Sequence, residues 1–241
     1  PTGDTISYYE GSRSLARLLF QDFNKGLQIL FNTDSIYNSI NSFNYQTGRP
    51  PFYIFRDTKT FNVCRFSIVF YLLGSGSLIV SNLLCCTFSY VGIWKLYRLF
   101  NTLFPGKSRP FAYIILFMPS LVFWGGGIMK DSYVLGGICW ATYCFYYGII
   151  KREKIILNLI LLFVNFLIII NIKSYVAIAA IPGMLIWLNS EIIKSLKSSF
   201  ARFLLRPIVF SLIILSGFGL FNNLDAIGLS QFENVDETCL L

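Results

Sequence analysis

The sequence predicts an all-α protein, a polytopic transmembrane helix bundle with an external amino-terminal segment that contains an amphipathic surface helix. Three observations carry that expectation. Only 13% of the 241 residues are charged and 55% are hydrophobic, with a mean hydropathy of +0.60, whereas soluble domains are roughly a quarter charged. Uncharged runs of spanning length follow one another from Phe66 onwards. Lysine and arginine concentrate in alternate links between those runs, the bias that places such links on the cytoplasmic side.

Residues 1–60 read as the external segment. After PTGDTISYYEG, Leu15, Leu18, Leu19, Phe23, Leu27 and Leu30 recur at spacings of three and four, with Arg17, Gln21, Asn24, Lys25 and Gln28 mainly opposite. That pattern fits a helix lying on the bilayer surface or one packed on other protein. The opening is polar, so a first membrane helix is expected upstream. Residues 61–224 read as the bundle, with about six full crossings and one short helix. Phe66 to Trp94 carries no charge over 29 residues, but Gly74-Ser75-Gly76-Ser77 interrupts it. Phe61 to Leu73 is therefore expected as the short helix and Leu78 to about Tyr97 as the first crossing. Pro110 to Ile128, Ser132 to Ile150, Ile155 to Ile172, Ser174 to about Leu188 and Pro207 to about Phe221 supply the others. Residues 225–241 form an acidic tail assigned to the external side.

Lys95, Arg98, Lys107 and Arg109 precede the second crossing, Lys151, Arg152 and Lys154 follow the third, and Lys194, Lys197, Arg202 and Arg206 precede the last. With these links cytoplasmic, Asp4, Glu10, Lys130, Asp131 and Lys173 share the outer face. The net charge of +8 is thus accounted for by the bilayer, and nucleic acid is not an expected partner. The chain has no histidine, which removes the commonest general base and zinc ligand. Its six cysteines lie mostly inside apolar runs without CxxC spacing, as small packing residues do.

The polar residues of the outer face are the candidates for chemistry. PSLVFWGGGIMKDSY, residues 119–133, sets Lys130 and Asp131 between two apolar runs, where charge is costly unless it meets an edge or a polar cavity. Adjacent on a helix, the two side chains diverge by about 100° and need not pair with each other. Asp131 is expected as a cap or a site residue, Lys130 as a snorkelling anchor or a phosphate ligand. Asp4, with Glu10 nearby, has the chemistry to accept a proton or hold a divalent cation. Arg65 and Lys173 are further cations able to meet a lipid phosphate.

An early Gly-Asp-x-x-x-Tyr-Tyr segment (GDTISYYEG), Phe-Asn-Val-x-Arg at 61–65, Lys-Leu-Tyr-Arg-Leu-Phe at 95–100 and Pro-Ser-x-x-Phe-Trp followed by Lys-Asp-Ser at 119–132 together resemble polytopic GT-C-type membrane glycosyltransferases. The nearest likeness is to dolichyl-phosphate-mannose-protein mannosyltransferase-like enzymes and related polysaccharide polymerases. The resemblance covers about residues 1–150 and implies a polyprenyl-phosphate-sugar donor, a glycan, lipid or protein acceptor, and a bacterial inner-membrane location. It assigns Asp4, with Glu10, as the catalytic or metal-linked carboxylate. Tyr8, Tyr9, Arg65, Trp124, Lys130, Asp131 and Lys173 fall to substrate binding. A transporter or lipid flippase, and a non-catalytic membrane subunit, are the readings that compete with it.

Overall fold

The computed structural model describes residues 3–31 and 40–195. Among them every regular element is helical: α1 (Asp4–Gln21), α2 (Phe23–Phe31), α3 (Phe52–Arg56), α4 (Thr58–Leu73), α5 (Leu78–Leu103), α6 (Ser108–Phe111), α7 (Pro119–Gly125), α8 (Lys130–Phe145) and α9 (Ile155–Ser195). The expected crossing at 207–221 and the acidic tail lie outside the described residues. Three helices are long and apolar enough to cross a membrane: Leu78–Leu103, Lys130–Ile150 and Ile155–Ile192. Ile79 and Leu83 on α5 and Ile156, Ile160 and Phe163 on α9 are more than half exposed, a cost that lipid, unlike water, does not impose. Helices of this length and composition suit a bilayer.

The amino-terminal stretch departs from the expected single surface helix. Helix α1 starts at Asp4, so Asp4 and Glu10 are helical rather than in a loop, and Asp22, at φ −142° and ψ 93°, separates α1 from α2. Leu15 and Leu18 are fully buried, while Phe20 and Phe23 project outward. Chain continuity breaks at Asp22 because its side chain accepts the Lys25 amide at 3.2 Å and starts a new helix. Helix α1 packs mainly on α4. Gly11 permits this, since a Cβ there would stand 2.5 Å from the Cys64 sulfur.

Helix α4 begins at Asp57, whose carboxylate accepts from the Lys59 amide at 3.0 Å and the Thr60 amide at 3.1 Å. It ends where Gly74 closes on Phe70 O at 2.8 Å, and left-handed Ser75 (φ 50°) and Gly76 (φ 74°) turn the chain into α5. The GSGS interruption thus separates the short helix from the first long one.

Among the described residues, the α5–α8 pair makes the most extensive helix contact. A Cβ on Gly92 would lie 2.1 Å from the Gly136 carbonyl oxygen, and one on Gly136 would lie 2.8 Å from the Ser89 Cα. The two backbones therefore touch, as small residues allow in membrane helices. The two helices run in the same direction: Asn82 meets Ile128, Lys95 meets Tyr143 and Thr102 meets Tyr147.

Parallel neighbours need a return path, and residues 104–129 supply it. This return is not the one helix expected from Pro110 to Ile128. It runs through α6, a π-helical turn at Ala112–Leu116, a break, and α7. The break follows from Pro119, the first residue of α7, because proline disfavours helical geometry in the residue before it, and Met118 sits at φ −65° and ψ 120°.

The expected runs 155–172 and 174–188 both fall within α9, with non-helical backbone at Lys173 (φ −138°, ψ 79°) between them. The described chain divides into two compact units there. Unit one ends at Lys173. In unit two, Ser174–Ser195 is helical and contains Pro182.

Candidate functional site

The GGG turn before α8 is held by its neighbours. Asn82 Oδ1 on α5 accepts from the Ile128 amide at 3.0 Å. The Ser132 hydroxyl lies 2.6 Å from Gly127 O and 2.8 Å from Trp124 O, and Cys85 Sγ lies 3.5 Å from Gly127 O. A Cβ on Gly125 would stand 2.9 Å from Ser89 Oγ and one on Gly127 2.9 Å from Thr5 Oγ1. The glycines thus bring the start of α1, and with it the Asp4 end, against this turn.

Two charges leave the turn and each finds a partner on a different helix. Lys130 Nζ is 3.3 Å from Asp57 Oδ2 and 2.6 Å from Thr60 Oγ1. Asp131 Oδ1 is 2.5 Å from Lys173 Nζ, at the break in α9. As expected from the helical angle, Lys130 and Asp131 are not partners of each other. Asp131 lies in the first turn of α8 without capping it, the cap position being Met129. Asn62 Nδ2 donates to Asn171 O at 2.8 Å, tying the start of α4 to α9 just before Lys173.

Asp57 is the most heavily committed carboxylate of the group. Burial acts to raise its pKa, but the Thr60 hydroxyl at 2.5 Å, the Lys130 ammonium and the Lys59 amide outweigh burial and hold the carboxyl below its ordinary value. Asp57 is therefore a stable anion and a poor proton acceptor.

Asp131 and Lys173 also line a cleft of about 490 Å³ with Ser120, Leu121, Trp124 and the α8 residues Val134, Leu135 and Ile138. Positions 131, 134, 135 and 138 form one helical stripe. The cleft is therefore charged at one end and apolar along its length.

The residues singled out in the sequence divide accordingly. Trp124, Asp131 and Lys173 line the cleft, and Lys130 stands beside it in the Asp57–Thr60 cluster. Asp4 is exposed at the start of α1. Glu10 is exposed too, but six residues along a helix puts it about 120° away from Asp4. Tyr8 and Tyr9 are 5% and 9% exposed, so little of either ring is left for a ligand. The Tyr9 hydroxyl donates to Gly76 O and its ring sits 5.6 Å from Tyr71. Burial, together with Asp4 and other neighbours, pushes the Tyr8 hydroxyl well above the usual tyrosine range. Arg65 is one link removed from the cleft: it donates to Ile29 O at 3.0 Å and to Asn62 Oδ1 at 2.7 Å, with Phe61 beneath its guanidinium.

Asp57 and Thr60 carry no role in the sequence reading, and Asn62 enters it only within the Phe-Asn-Val-x-Arg run. A local signal for the first existed, since Asp57-Thr58-Lys59-Thr60 before an apolar run has the form of a helix start. Among the described residues, no three Cys, Asp or Glu side chains converge as a metal-binding set. Comparison with family profiles, curated proteins and solved structures found no match.

Proposed function

We propose that this chain is a membrane glycosyltransferase that moves a sugar from a polyprenyl-phosphate carrier to an envelope glycan, lipid or protein acceptor. The observation that carries the reading is the cleft in which a cation, a carboxylate and a tryptophan stand at the head of an apolar stripe. An amphiphile with a charged head and a long apolar tail has that division of chemistry.

In this reading the acceptor hydroxyl oxygen attacks the anomeric carbon while the bond from that carbon to the phosphate oxygen breaks. The electron pair leaves on the phosphate, where the Lys173 ammonium offsets the developing charge. The acceptor proton passes to a carboxylate, Asp131 within the cleft or Asp4 from the neighbouring helix start. Trp124 provides an aromatic face for the sugar. Lys130, Asp57 and Thr60 position the first turn of α8, and Arg65 acts through Asn62. A divalent cation at Asp4 belongs to the same proposal, and chelator treatment of active membranes tests it.

The direct test is transfer from polyprenyl-phosphate sugars by membranes containing the full chain. Asp131→Asn and Lys173→Gln are expected to lower turnover by about a hundredfold or more, as lost charge stabilisation or acid–base catalysis does. Near-normal turnover in both variants would remove the cleft from the reaction. A transporter is favoured by one feature, the helix broken at an ionisable residue. Lipid or sugar movement in proteoliposomes without any transfer product selects that reading.

A further inference from the structure

The other end of α5 and α8 carries a different kind of charge. Lys95 and Arg98 lie on α5, and Lys151, Arg152 and Lys154 lie in the four-residue link before α9, with Glu153 as the acid among them. Side-chain contacts bring the two groups to one end: Lys95 Nζ is 4.6 Å from the Tyr143 ring centre, Lys151 Nζ is 6.0 Å from that of Tyr146, and Thr102 Oγ1 is 2.8 Å from the Tyr147 hydroxyl. Ion pairs among the described residues lie elsewhere, at Lys25–Asp22, Lys130–Asp57 and Lys173–Asp131. Among the described residues these five cations thus share one end of the helices with a single carboxylate, Glu153, and none of them forms an ion pair there.

The backbone of the link makes this arrangement more than a solvated loop. Arg152 (φ 58°) and Lys154 (φ 43°) both occupy the left-handed region, which glycine or asparagine fills at the least cost. Side chains that demand ordinary backbone are instead held in place. The Glu153 amide donates to Tyr147 O at 2.8 Å, the Asn158 amide to Lys154 O at 3.0 Å, and Asn158 Nδ2 to Glu153 O at 2.7 Å. Strain of this sort in an exposed cationic link points from geometry to a binding role.

We propose that this end binds the headgroups of anionic phospholipids in the surrounding leaflet. The ligand class follows from three kinds of group gathered at this end. Exposed cations Arg98, Lys151, Arg152 and Lys154 form the first. Tyr143 and Tyr147, half-buried with their rings 4.5 Å apart, come next, the residue type enriched at the level of lipid headgroups. Beside them, exposed Ile156 and Ile160 in the first turns of α9 offer an apolar wall. Phosphate, ester and acyl chain match these three kinds of group, whereas a free anion would use only the first. Lys130 to Ile150 spans 21 residues, about 30 Å of helix, so this surface stands one hydrocarbon thickness from the Lys130 end. It is independent of the transferase reading.

The test uses the full chain in phosphatidylcholine nanodiscs carrying a trace of spin-labelled phosphatidylglycerol or spin-labelled phosphatidylcholine. The expected result is a several-fold larger motionally restricted fraction for phosphatidylglycerol. That excess should shrink in high salt and largely disappear in the Arg152→Gly/Lys154→Gly double variant, which removes charge while relaxing the left-handed backbone. Equal fractions for the two lipids, or an excess that survives both salt and the double variant, overturn the proposal. Displacement of the excess by inorganic phosphate marks a free-anion site and also overturns it. Stabilisation of the protein by soluble polyglutamate, with no lipid excess, assigns the surface to an acidic protein and overturns it as well.

Discussion

The α5–α8 seam and the charged end around Lys130 meet on the same helix but are built on opposite principles. Along the seam, Gly92 and Gly136 have no side chains and the backbones touch, so cohesion comes from close dispersion contact that tolerates no added atom. At the charged end, long side chains reach across gaps. Lys130 to Asp57 and Asp131 to Lys173 join helices whose backbones do not need to approach, and each pair remains partly exposed. One region is rigid because it is full; the other is adjustable because its contacts are tethers. A site that must admit a ligand belongs in the second kind of region.

The largest effect should come from breaking the seam. Gly92→Val places a Cβ where only 2.1 Å separates it from the Gly136 carbonyl oxygen, a backbone atom without a rotamer to move. We expect a cost of about 3 kcal/mol or more, read as loss of monodisperse protein in detergent or a steep fall in the thermal midpoint. A tolerated valine would mean that α5 and α8 pack less closely than this geometry requires.

Lys130→Met should do less. The pair is neither fully buried nor free, with side-chain exposures of 27% and 36%, so solvent screening keeps its contribution to about 1 kcal/mol. Asp57→Ala should cost a similar amount, about 1 kcal/mol, because the same oxygens cap α4. A double-mutant cycle separates the pair from the cap: coupling near zero would reduce Lys130 to a neighbour of Asp57 rather than its partner.

This contrast also explains how much of the molecule could be read beforehand. Helices α5 and α8 and the Gly74–Ser77 interruption were legible because they rest on runs and breaks within a few residues of each other. The divergence of Lys130 from Asp131 was legible because helical angle is local. The break before Pro119 was local too, but nineteen uncharged residues outweighed one proline in the reading. Asp57 and Thr60 were not legible as site residues, since their role depends on a lysine 73 and 70 positions away. The burial of Tyr8 and Tyr9 depends likewise on α4 and the Gly76 turn folding over α1. Only Lys173, between two apolar runs, advertised its position without revealing its partner.

Acid sharpens the comparison further, because the Gly92–Gly136 contact has no charge to lose. A carboxyl whose folded pKa is depressed contributes stability above the unfolded value of about 4, and that contribution disappears as pH falls through the folded value. Asp57 is such a group. The thermal midpoint should therefore drop as pH falls below about 5, and Asp57→Asn should remove part of that drop while leaving the rest. An identical pH profile in the variant would show that Asp57 is not held as an anion by Lys130 and Thr60.

The smallest effect is expected at the exposed ion pair of α2. Lys25 Nζ is 3.0 Å from Asp22 Oδ2, closer than Lys130 is to Asp57, yet the lysine side chain is 62% exposed. If distance governed these contacts, Lys25→Ala would cost more than Lys130→Met. If solvent screening and the number of simultaneous partners govern them, the order reverses, because Lys130 also meets the Thr60 hydroxyl while Lys25 is largely in water. We expect the reversal, with the Lys25→Ala midpoint indistinguishable from wild type. A loss at Lys25 as large as that at Lys130 would show that burial, not just charge, is absent as a source of strength at the α4–α8 tether, and would leave the α5–α8 seam as the main support of the cleft.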